Sequence, residues 1–246
     1  MAEDYIKWLD SHVKEYELKS KTEVGHLYFF RDPYRPNHID KAYFFAPADG
    51  IIVYQKIAKK GKCMLNIKGS CFKLKELMQD PDFNQDCLVI GIFMTFFDVH
   101  VNRSPLGGFL RFELLAPLKT KGIPLLLEEN DIFRGKISKE KLDYLRTNQR
   151  VLNEFFLPSL NYKYYVVQIA DTDVKVITPF SIYQNDFYFQ NERFSMVRWG
   201  SQVDLIIPLD KRFEFKFIHK NTPIHVKAGV DRLVEIKKKR KIILRR

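Results

Sequence analysis

The sequence predicts an α+β fold that is mainly β, with a single domain built around a β-sandwich or barrel-like core. Its 246 residues include 21 phenylalanines and 12 tyrosines, which are common in strands. The apolar stretches are short and bounded by turn residues, as expected for strands. No internal repeat, low-complexity linker or shift of composition marks a boundary, so we expect one domain over residues 1–246.

An amphipathic helix is expected within an N-terminal helical segment, residues 1–28. Apolar side chains recur there at helical spacing, at Ile6, Leu9, Val13 and Tyr16. Such a helix packs on a domain core more often than it lies on a membrane, so core packing is the favoured interpretation and membrane contact the alternative.

A second helix is expected as an insertion before the C-terminal strands. Between residues 138 and 156, apolar side chains recur at near-helical spacing with charges between them, at Leu142, Leu145, Leu152, Phe155 and Phe156. Strands are expected to return from Tyr164 onward.

Three segments predict core strands. The apolar stretch 88–97 is ten residues long, against the about 20 that a membrane-spanning helix needs, and predicts a buried strand. The turn APADG at residues 46–50 opens a strand over residues 51–54. In the stretch 201–207, the odd-numbered side chains lie on one face, which we expect to be internal. Gly200 precedes that strand. A glycine there indicates a bulge, a tight bend or a peptide bond that another group must approach closely.

The positive charge is concentrated at the C-terminal end. The net charge is +11, and residues 231–246 contribute eight Lys or Arg against two acids. A basic tail over residues 231–246 fits a solvated segment, a nucleic-acid arm or a contact for anionic lipid.

The first residues lack the pattern of a secretory signal, and Cys63, Cys71 and Cys87 form no CxxC pair. We therefore expect a cytoplasmic protein with reduced thiols and no metal site.

A histidine stands at a promising place after the buried strand. Asp98, His100 and Asn102 share one face of the segment that continues this strand, and RSPLGG follows at residues 103–108. This pattern places His100 at the rim of a cleft. Taken alone, His100, the Asp49 turn and Ser201 are each better explained by an ordinary structural role.

Taken together, five motifs resemble the phosphatidylserine decarboxylase proenzymes. They are FFRDPYRP at residues 29–36, PADG within 46–50, IKGSCFKLKEL at 67–77, FDVHVNRSP at 97–105 and WGSQVDLIIP at 199–208. The likeness runs from about residue 28 to 210, so residues 29–210 are expected to form the catalytic core.

This resemblance implies that the chain cuts itself between Gly200 and Ser201. The Ser201 hydroxyl would attack the Gly200 carbonyl, and elimination would leave a pyruvoyl group at position 201, the implied cofactor. His100 would be the general base and Asp49 the carboxylate that orients it. Decarboxylation of an α-amino acid needs an electron sink, which a pyruvoyl ketone supplies and side chains do not.

The chain departs from some family members at two motifs. Arg103 stands where they carry a second histidine. The chain has WGSQ where they have LGST, and WGSQ is closer to the FGSR of a shorter branch of the family. One imidazole therefore has two tasks to cover, self-cleavage and decarboxylation. His225 is a weak alternative for the second.

The resemblance implies a phosphatidylserine-type lipid substrate and a peripheral position on an anionic membrane surface. A homodimer is compatible with it. Three alternatives remain: the same chemistry on a soluble amino acid or another serine lipid, an uncleaved pseudoenzyme of the same fold, and a basic β module that binds single-stranded nucleic acid. The last leaves the Asp49, His100 and Gly200-Ser201 motifs without a role, so we expect no nucleic-acid partner.

Overall fold

Strands dominate the computed structural model, which describes residues 2–13, 30–36, 38–115, 142–170, 176–198 and 201–239, with the main chain alone at Ser201. Within these ranges there are seventeen strands: β1 Glu3–Asp4, β2 Tyr43–Phe45, β3 Gly50–Ala58, β4 Leu65–Ile67, β5 Ser70–Phe72, β6 Cys87–Met94, β7 Val101–Arg103, β8 Gly108–Leu114, β9 Arg150–Leu157, β10 Tyr162–Ile169, β11 Ile177–Pro179, β12 Asp186–Tyr188, β13 Arg193–Val197, β14 Ser201–Pro208, β15 Phe213–Phe217, β16 Ile224–Val226 and β17 Arg232–Lys238.

The helices are short. They are α1 Tyr5–Trp8, which continues as a π-helical turn over Leu9–Val13, α2 Leu74–Met78, α3 Tyr144–Thr147 and a 3₁₀ turn at Pro158–Leu160. Within the described ranges, none of these helices has the length and apolar character that crossing a bilayer requires.

An antiparallel sheet of nine strands forms the centre of the fold, in the order β1-β16-β3-β6-β14-β10-β9-β8-β12. Its edge strands β1 and β12 do not pair with each other among the described residues, so the sheet does not close into a barrel. Every residue of the central strand β6 is buried. These features confirm the mainly β α+β fold that the sequence predicts.

Apolar side chains cover both faces of this sheet. On one face, Val203, Leu205 and Ile207 of β14 pack in a core completed by the small sheet β15-β17-β2. The predicted internal face of this strand is thus confirmed. On the other face, Ile206 packs in a second core with side chains from α1, α2 and α3. Both faces of β14 are therefore buried, and its polar residues Gln202 and Asp204 on the second face are hydrogen-bonded to each other.

The inserted helix expected over residues 138–156 is wrong for most of its length. Residues 138–141 lie outside the described residues, α3 covers only Tyr144–Thr147, and residues 150–157 form β9. In β9 the buried positions alternate, and Asn153 occupies one of them. Its amide is hydrogen-bonded inside the protein, to the Val166 carbonyl and the Gln168 side chain. A polar residue therefore occupies a position that is usually apolar, and the alternation of apolar residues typical of a strand is hidden in the sequence.

The N-terminal helix is present over Tyr5–Val13, and it buries the expected face only in part. Tyr5 and Trp8 are its buried residues, whereas Ile6 is exposed. Leu9 and Val13 pack against the second core, and Tyr16 lies outside the described residues. Core packing, the favoured interpretation, is therefore what the described turns show.

The predicted basic tail begins within the fold. Residues 232–238 form β17, and its Leu233, Val234 and Ile236 belong to the first core. Its charged residues are exposed or partly exposed, and a register shift between Arg232 and Val234 allows the neighbouring Leu233 and Val234 both to be buried. Residues 240–246 lie outside the described residues.

Candidate functional site

The candidate site lies at one end of the nine-stranded sheet, where four strands bring separate sequence motifs together. β6 ends at Met94, which pairs with Ser201 at the start of β14. On the other side of β6, Phe93 pairs with Ile51 near the start of β3, and Ile51 pairs with His225 of β16. The PADG turn, the histidine motif and the Gly-Ser motif therefore meet at this end.

Gly50 fixes the PADG turn against the sheet. Its φ of +149° is a conformation that side-chain-bearing residues rarely adopt, and a Cβ there would lie 2.2 Å from the carbonyl oxygen of Phe93. Only glycine fits this contact. The strand can therefore begin directly beside Asp49, which places that carboxylate at the end of the sheet.

His100 is fully buried and its tautomer is set by the main chain. Its Nδ1 lies 2.9 Å from the carbonyl oxygen of Asp98, and because a carbonyl only accepts, Nδ1 carries the hydrogen. The Nε2 of a neutral ring then keeps its lone pair. Burial lowers the pKa of His100 to about 4, so the ring is neutral at pH 7 and has the form of a general base.

Asp49 reaches the same end of the sheet, with Arg35 as its ionic partner. Two Arg35 nitrogens donate to the two carboxylate oxygens, each at 2.6 Å, and the Ala228 N–H donates to Oδ1 at 2.7 Å. The group that holds the His100 ring is thus the Asp98 main chain, while the charge of Asp49 raises the pKa of His100 against the larger effect of burial. The orienting role expected of Asp49 stays a prediction.

Asp98 organises the turn between β6 and β7. Its Oδ2 accepts hydrogen bonds from the Thr95 N–H at 2.8 Å and from the Thr95 hydroxyl at 2.6 Å. Its Oδ1 lies 2.6 Å from Nε2 of His225. Although burial alone would raise it, the interaction with His225 and these hydrogen bonds hold the pKa of Asp98 below its usual value.

His225 is buried and stacked, although the sequence indicated it only weakly. The Trp8 ring lies parallel to its imidazole, with 4.5 Å between the ring centroids. Asp98 and His225 are 127 positions apart, and no local spacing connects them. Only the pairing of β16 with β3 brings the second imidazole to the site.

The chain is held on both sides of the predicted cleavage bond, by the histidine motif on one side and by β6 on the other. The Val197 N–H donates to the His100 carbonyl oxygen at 3.0 Å, and Ser201 pairs with Met94. Trp199 and Gly200 lie outside the described residues. His100 and Ser201 thus belong to neighbouring parts of the fold.

Arg103 does not replace the missing histidine chemically. Its buried guanidinium donates to the Asn191 carbonyl oxygen at 3.0 Å and lies 3.7 Å from the Asp32 carboxylate. Burial lowers its pKa, yet a guanidinium remains charged at neutral pH.

A cavity of about 550 Å³ opens beside these groups. Asp49, Asp98 and His225 line its wall, together with Trp8, Arg31 and Lys227. Each of the two carboxylates already has a basic partner, Arg35 and His225 respectively. The further positive charges of Arg31 and Lys227 therefore favour an anionic ligand.

Comparison with known proteins gives a consistent result. The family model for phosphatidylserine decarboxylase matches residues 26–232. A putative archaetidylserine decarboxylase proenzyme of Methanocaldococcus jannaschii is 28% identical over 77% of this chain and 82% of its own length. Two phosphatidylserine decarboxylase proenzymes are similar as well: that of Novosphingobium aromaticivorans is 29% identical over 75% of this chain, and that of Chlorobium phaeobacteroides 28% identical over 74%.

The match covers 64% and 68% of the lengths of these two bacterial relatives. A search of the solved structures found no match. Because the family model spans most of the chain, from the segment before FFRDP to the first residue of β17, the chain belongs to the phosphatidylserine decarboxylase family.

Proposed function

We propose that the chain is a self-processing, pyruvoyl-dependent decarboxylase that converts phosphatidylserine to phosphatidylethanolamine and CO2. One observation carries the proposal: the neutral, main-chain-oriented imidazole of His100 lies at the end of the sheet where β14 begins with Ser201. A serine hydroxyl needs a positioned base to become a nucleophile, and His100 meets that need.

Self-cleavage follows from this arrangement. His100 Nε2 takes the Ser201 hydroxyl proton as the oxygen attacks the Gly200 carbonyl carbon. The proton passes to the leaving nitrogen, the C–N bond breaks, and an ester forms. Loss of the Ser201 α-proton then expels the Gly200 carboxylate, and water releases ammonia from the remaining dehydroalanine. Every step includes proton transfer, and the same imidazole is neutral again after each transfer, so it serves throughout.

Position 201 fits a pyruvoyl group because the strand that carries it stays in place after cleavage. β14 pairs with β6 on one side and β10 on the other, and β17 contributes to the same core. Fragment 201–246 would therefore remain bound to fragment 1–200. The group supplies an electron sink for the electrons left when CO2 departs.

The cavity supports a serine lipid as the substrate. Arg31 and Lys227 line it and suit a phosphodiester, while Trp8 and Phe97 provide apolar walls. The relatives are named for phosphatidylserine and for archaetidylserine, both serine lipids. The substrate is therefore best defined by its head group rather than by its lipid tails.

The protein would act at the membrane surface, where this substrate resides. Tyr34 lines the cavity and is 91% exposed, which suits an aromatic ring at a lipid interface. The cluster of Lys and Arg at the C-terminal end adds attraction to an anionic surface.

Intact mass of the purified protein tests the proposal directly. Two fragments, 1–200 and 201–246, are expected, the second with a blocked N-terminus, and Ser201→Ala should remain one chain. In the wild type, borohydride added with phosphatidylserine should attach the substrate to fragment 201–246. A single full-length species after prolonged incubation, or substrate attached to a lysine, would overturn the proposal.

A further inference from the structure

We propose that His225 is the second proton-transfer residue of the site and acts on the head group bound in the cavity, while His100 serves self-cleavage. This inference rests on the proposed function. It assigns the proton transfers of decarboxylation to a residue on β16, far in sequence from the histidine motif.

The surroundings of His225 are those of a functional imidazole. The side chains of His225 and Asp98 are each 2% exposed and lie 2.6 Å apart, and both line the cavity. A carboxylate bonded to one ring nitrogen fixes the tautomer and stabilises the protonated ring. Trp8, stacked on the imidazole, fixes the plane of the ring and is itself part of the cavity wall.

The two nitrogens of His225 are not equivalent. Nε2 is committed to Asp98, whereas Nδ1 is buried and has no hydrogen-bond partner among the described residues. A buried polar atom without a partner is costly, so a ligand that bonds to it gains affinity. A ligand with an ammonium group would satisfy Nδ1, and the serine head group carries one.

This arrangement closes the proton balance of the reaction. The substrate arrives with an ammonium group, which must lose a proton before its nitrogen acts as a nucleophile. His225 Nδ1 takes that proton, and the Asp98 carboxylate stabilises the resulting imidazolium. After the bond to CO2 breaks, the α-carbon holds an electron pair and needs one proton. His225 returns the proton there and is neutral again. The released amine then takes one proton from solvent to become an ammonium, so the reaction consumes one proton overall.

The two histidines can be separated experimentally because they use different atoms of Asp98. His100 is held by the Asp98 main chain, and His225 by the Asp98 carboxylate. Replacing the His225 side chain leaves the main-chain bond to His100 in place. Loss of His225 should therefore spare self-cleavage and impair decarboxylation.

The test compares His225→Gln with His219→Gln, a matched change at a histidine that does not line the cavity. In His225→Gln we expect both fragments to form at the wild-type rate. Its decarboxylation turnover should be about 10²- to 10⁴-fold slower, with apparent substrate affinity within about threefold of the wild type. His219→Gln should match the wild type throughout. His225→Asn serves as the second variant if the glutamine variant does not fold.

A binding measurement gives a readout that does not depend on turnover. In uncleaved Ser201→Ala protein with ¹⁵N-labelled histidine, glycerophosphoserine should shift the Nδ1 resonance of His225, and glycerophosphate without the amine should not. An unshifted resonance, unchanged turnover in His225→Gln, or loss of cleavage in a folded His225 variant would each overturn the assignment. A wild type that is never cleaved would instead refute the proposed function, with the resonance still reporting on His225.

Discussion

Asp98 Oδ1 lies 2.6 Å from His225 Nε2 across 127 positions of sequence. The same aspartate holds His100 through its main-chain oxygen, so one residue connects both imidazoles of the site. Its carboxylate and its carbonyl act on different rings. This division gives a physical basis for two proton-transfer tasks in a chain whose histidine motif contains a single histidine.

Asp49 and Arg35 are expected to act as a unit in self-cleavage. Asp49→Asn removes the charge that stabilises a protonated His100 and should slow cleavage, by up to about 10⁴-fold if its role resembles that of the carboxylate in hydrolytic triads. Arg35→Gln leaves a buried carboxylate without its two bonds of 2.6 Å and should slow cleavage as well. Fragment yield over time, measured by mass, gives both rates.

The double variant distinguishes a unit from two separate roles. If the pair acts together, Asp49→Asn with Arg35→Gln should be slowed no more than the slower single variant. Fully additive losses would show independent roles. An unchanged rate in Asp49→Asn would remove Asp49 from the mechanism.

The burial of His100 predicts a dependence of stability on pH. Its folded-state pKa of about 4 lies below the ordinary 6.5, so from pH 6.5 downward the unfolded chain binds a proton that the folded chain does not. Stability is therefore fully present above pH 6.5 and is lost as pH falls towards 4. At pH 5 this linkage amounts to about 2 kcal/mol.

Urea unfolding of the uncleaved Ser201→Ala protein, with and without His100→Gln, isolates this contribution. The stability difference between the two proteins should change by about 2 kcal/mol between pH 7.5 and pH 5, with His100→Gln losing less on acidification. A difference that stays constant would mean that His100 is not buried in its neutral form. Self-cleavage should also keep its rate at pH 6, where a free imidazole would already be largely protonated.

The sequence predicted the parts of the site whose information is local. Short apolar stretches predicted β6 and the internal face of β14, and the resemblance of five motifs to a known family identified Asp49, His100 and Ser201 as candidates. His225 is only a weak candidate from the sequence, because strand pairing, which no local pattern records, brings it to the site. Its carboxylate partner Asp98 belongs to the histidine motif itself, yet nothing in the spacing connects that motif with residue 225.

The errors have a common physical cause. Asn153 occupies a buried strand position because its amide is bonded inside the protein, and that polar residue made β9 look helical. Leu233, Val234 and Ile236 stand among charged residues, so a buried strand looked like a basic tail. In both cases tertiary contacts decided which face was buried, and a sequence window does not contain them.

Gly91 is expected to be indispensable for the packing of β6. A Cβ at this position would lie 2.5 Å from the ring of Tyr54, whose hydroxyl donates to buried Asp204 at 2.5 Å. Gly91→Ala should therefore destabilise the protein by about 1–3 kcal/mol, the usual cost of overpacking a core. Thermal or urea unfolding of the uncleaved Ser201→Ala protein measures this loss.

Gly69→Ala is the matched control for Gly91→Ala. A Cβ at Gly69 meets nothing within 4 Å, and its φ of +77° restricts the cost to backbone strain. If Gly91→Ala is no more destabilising than Gly69→Ala, the ring of Tyr54 is not packed against β6 as the structure has it.

Membrane binding is expected to depend on the last seven residues. Since β17 is part of the core, the informative truncation ends at Lys239 and leaves that strand intact. It removes Arg240, Lys241, Arg245 and Arg246, and each such charge near an anionic surface contributes about 1 kcal/mol at low salt. The truncated protein should sediment with anionic vesicles at least about tenfold more weakly, and salt should narrow the difference because it screens the charges.

Replacing the four charges with glutamine in the full-length chain should reproduce the loss, while Tyr34→Ser should weaken binding to anionic and zwitterionic vesicles alike. Equal binding by the truncated and full-length proteins would assign the electrostatic contact to another surface of the chain.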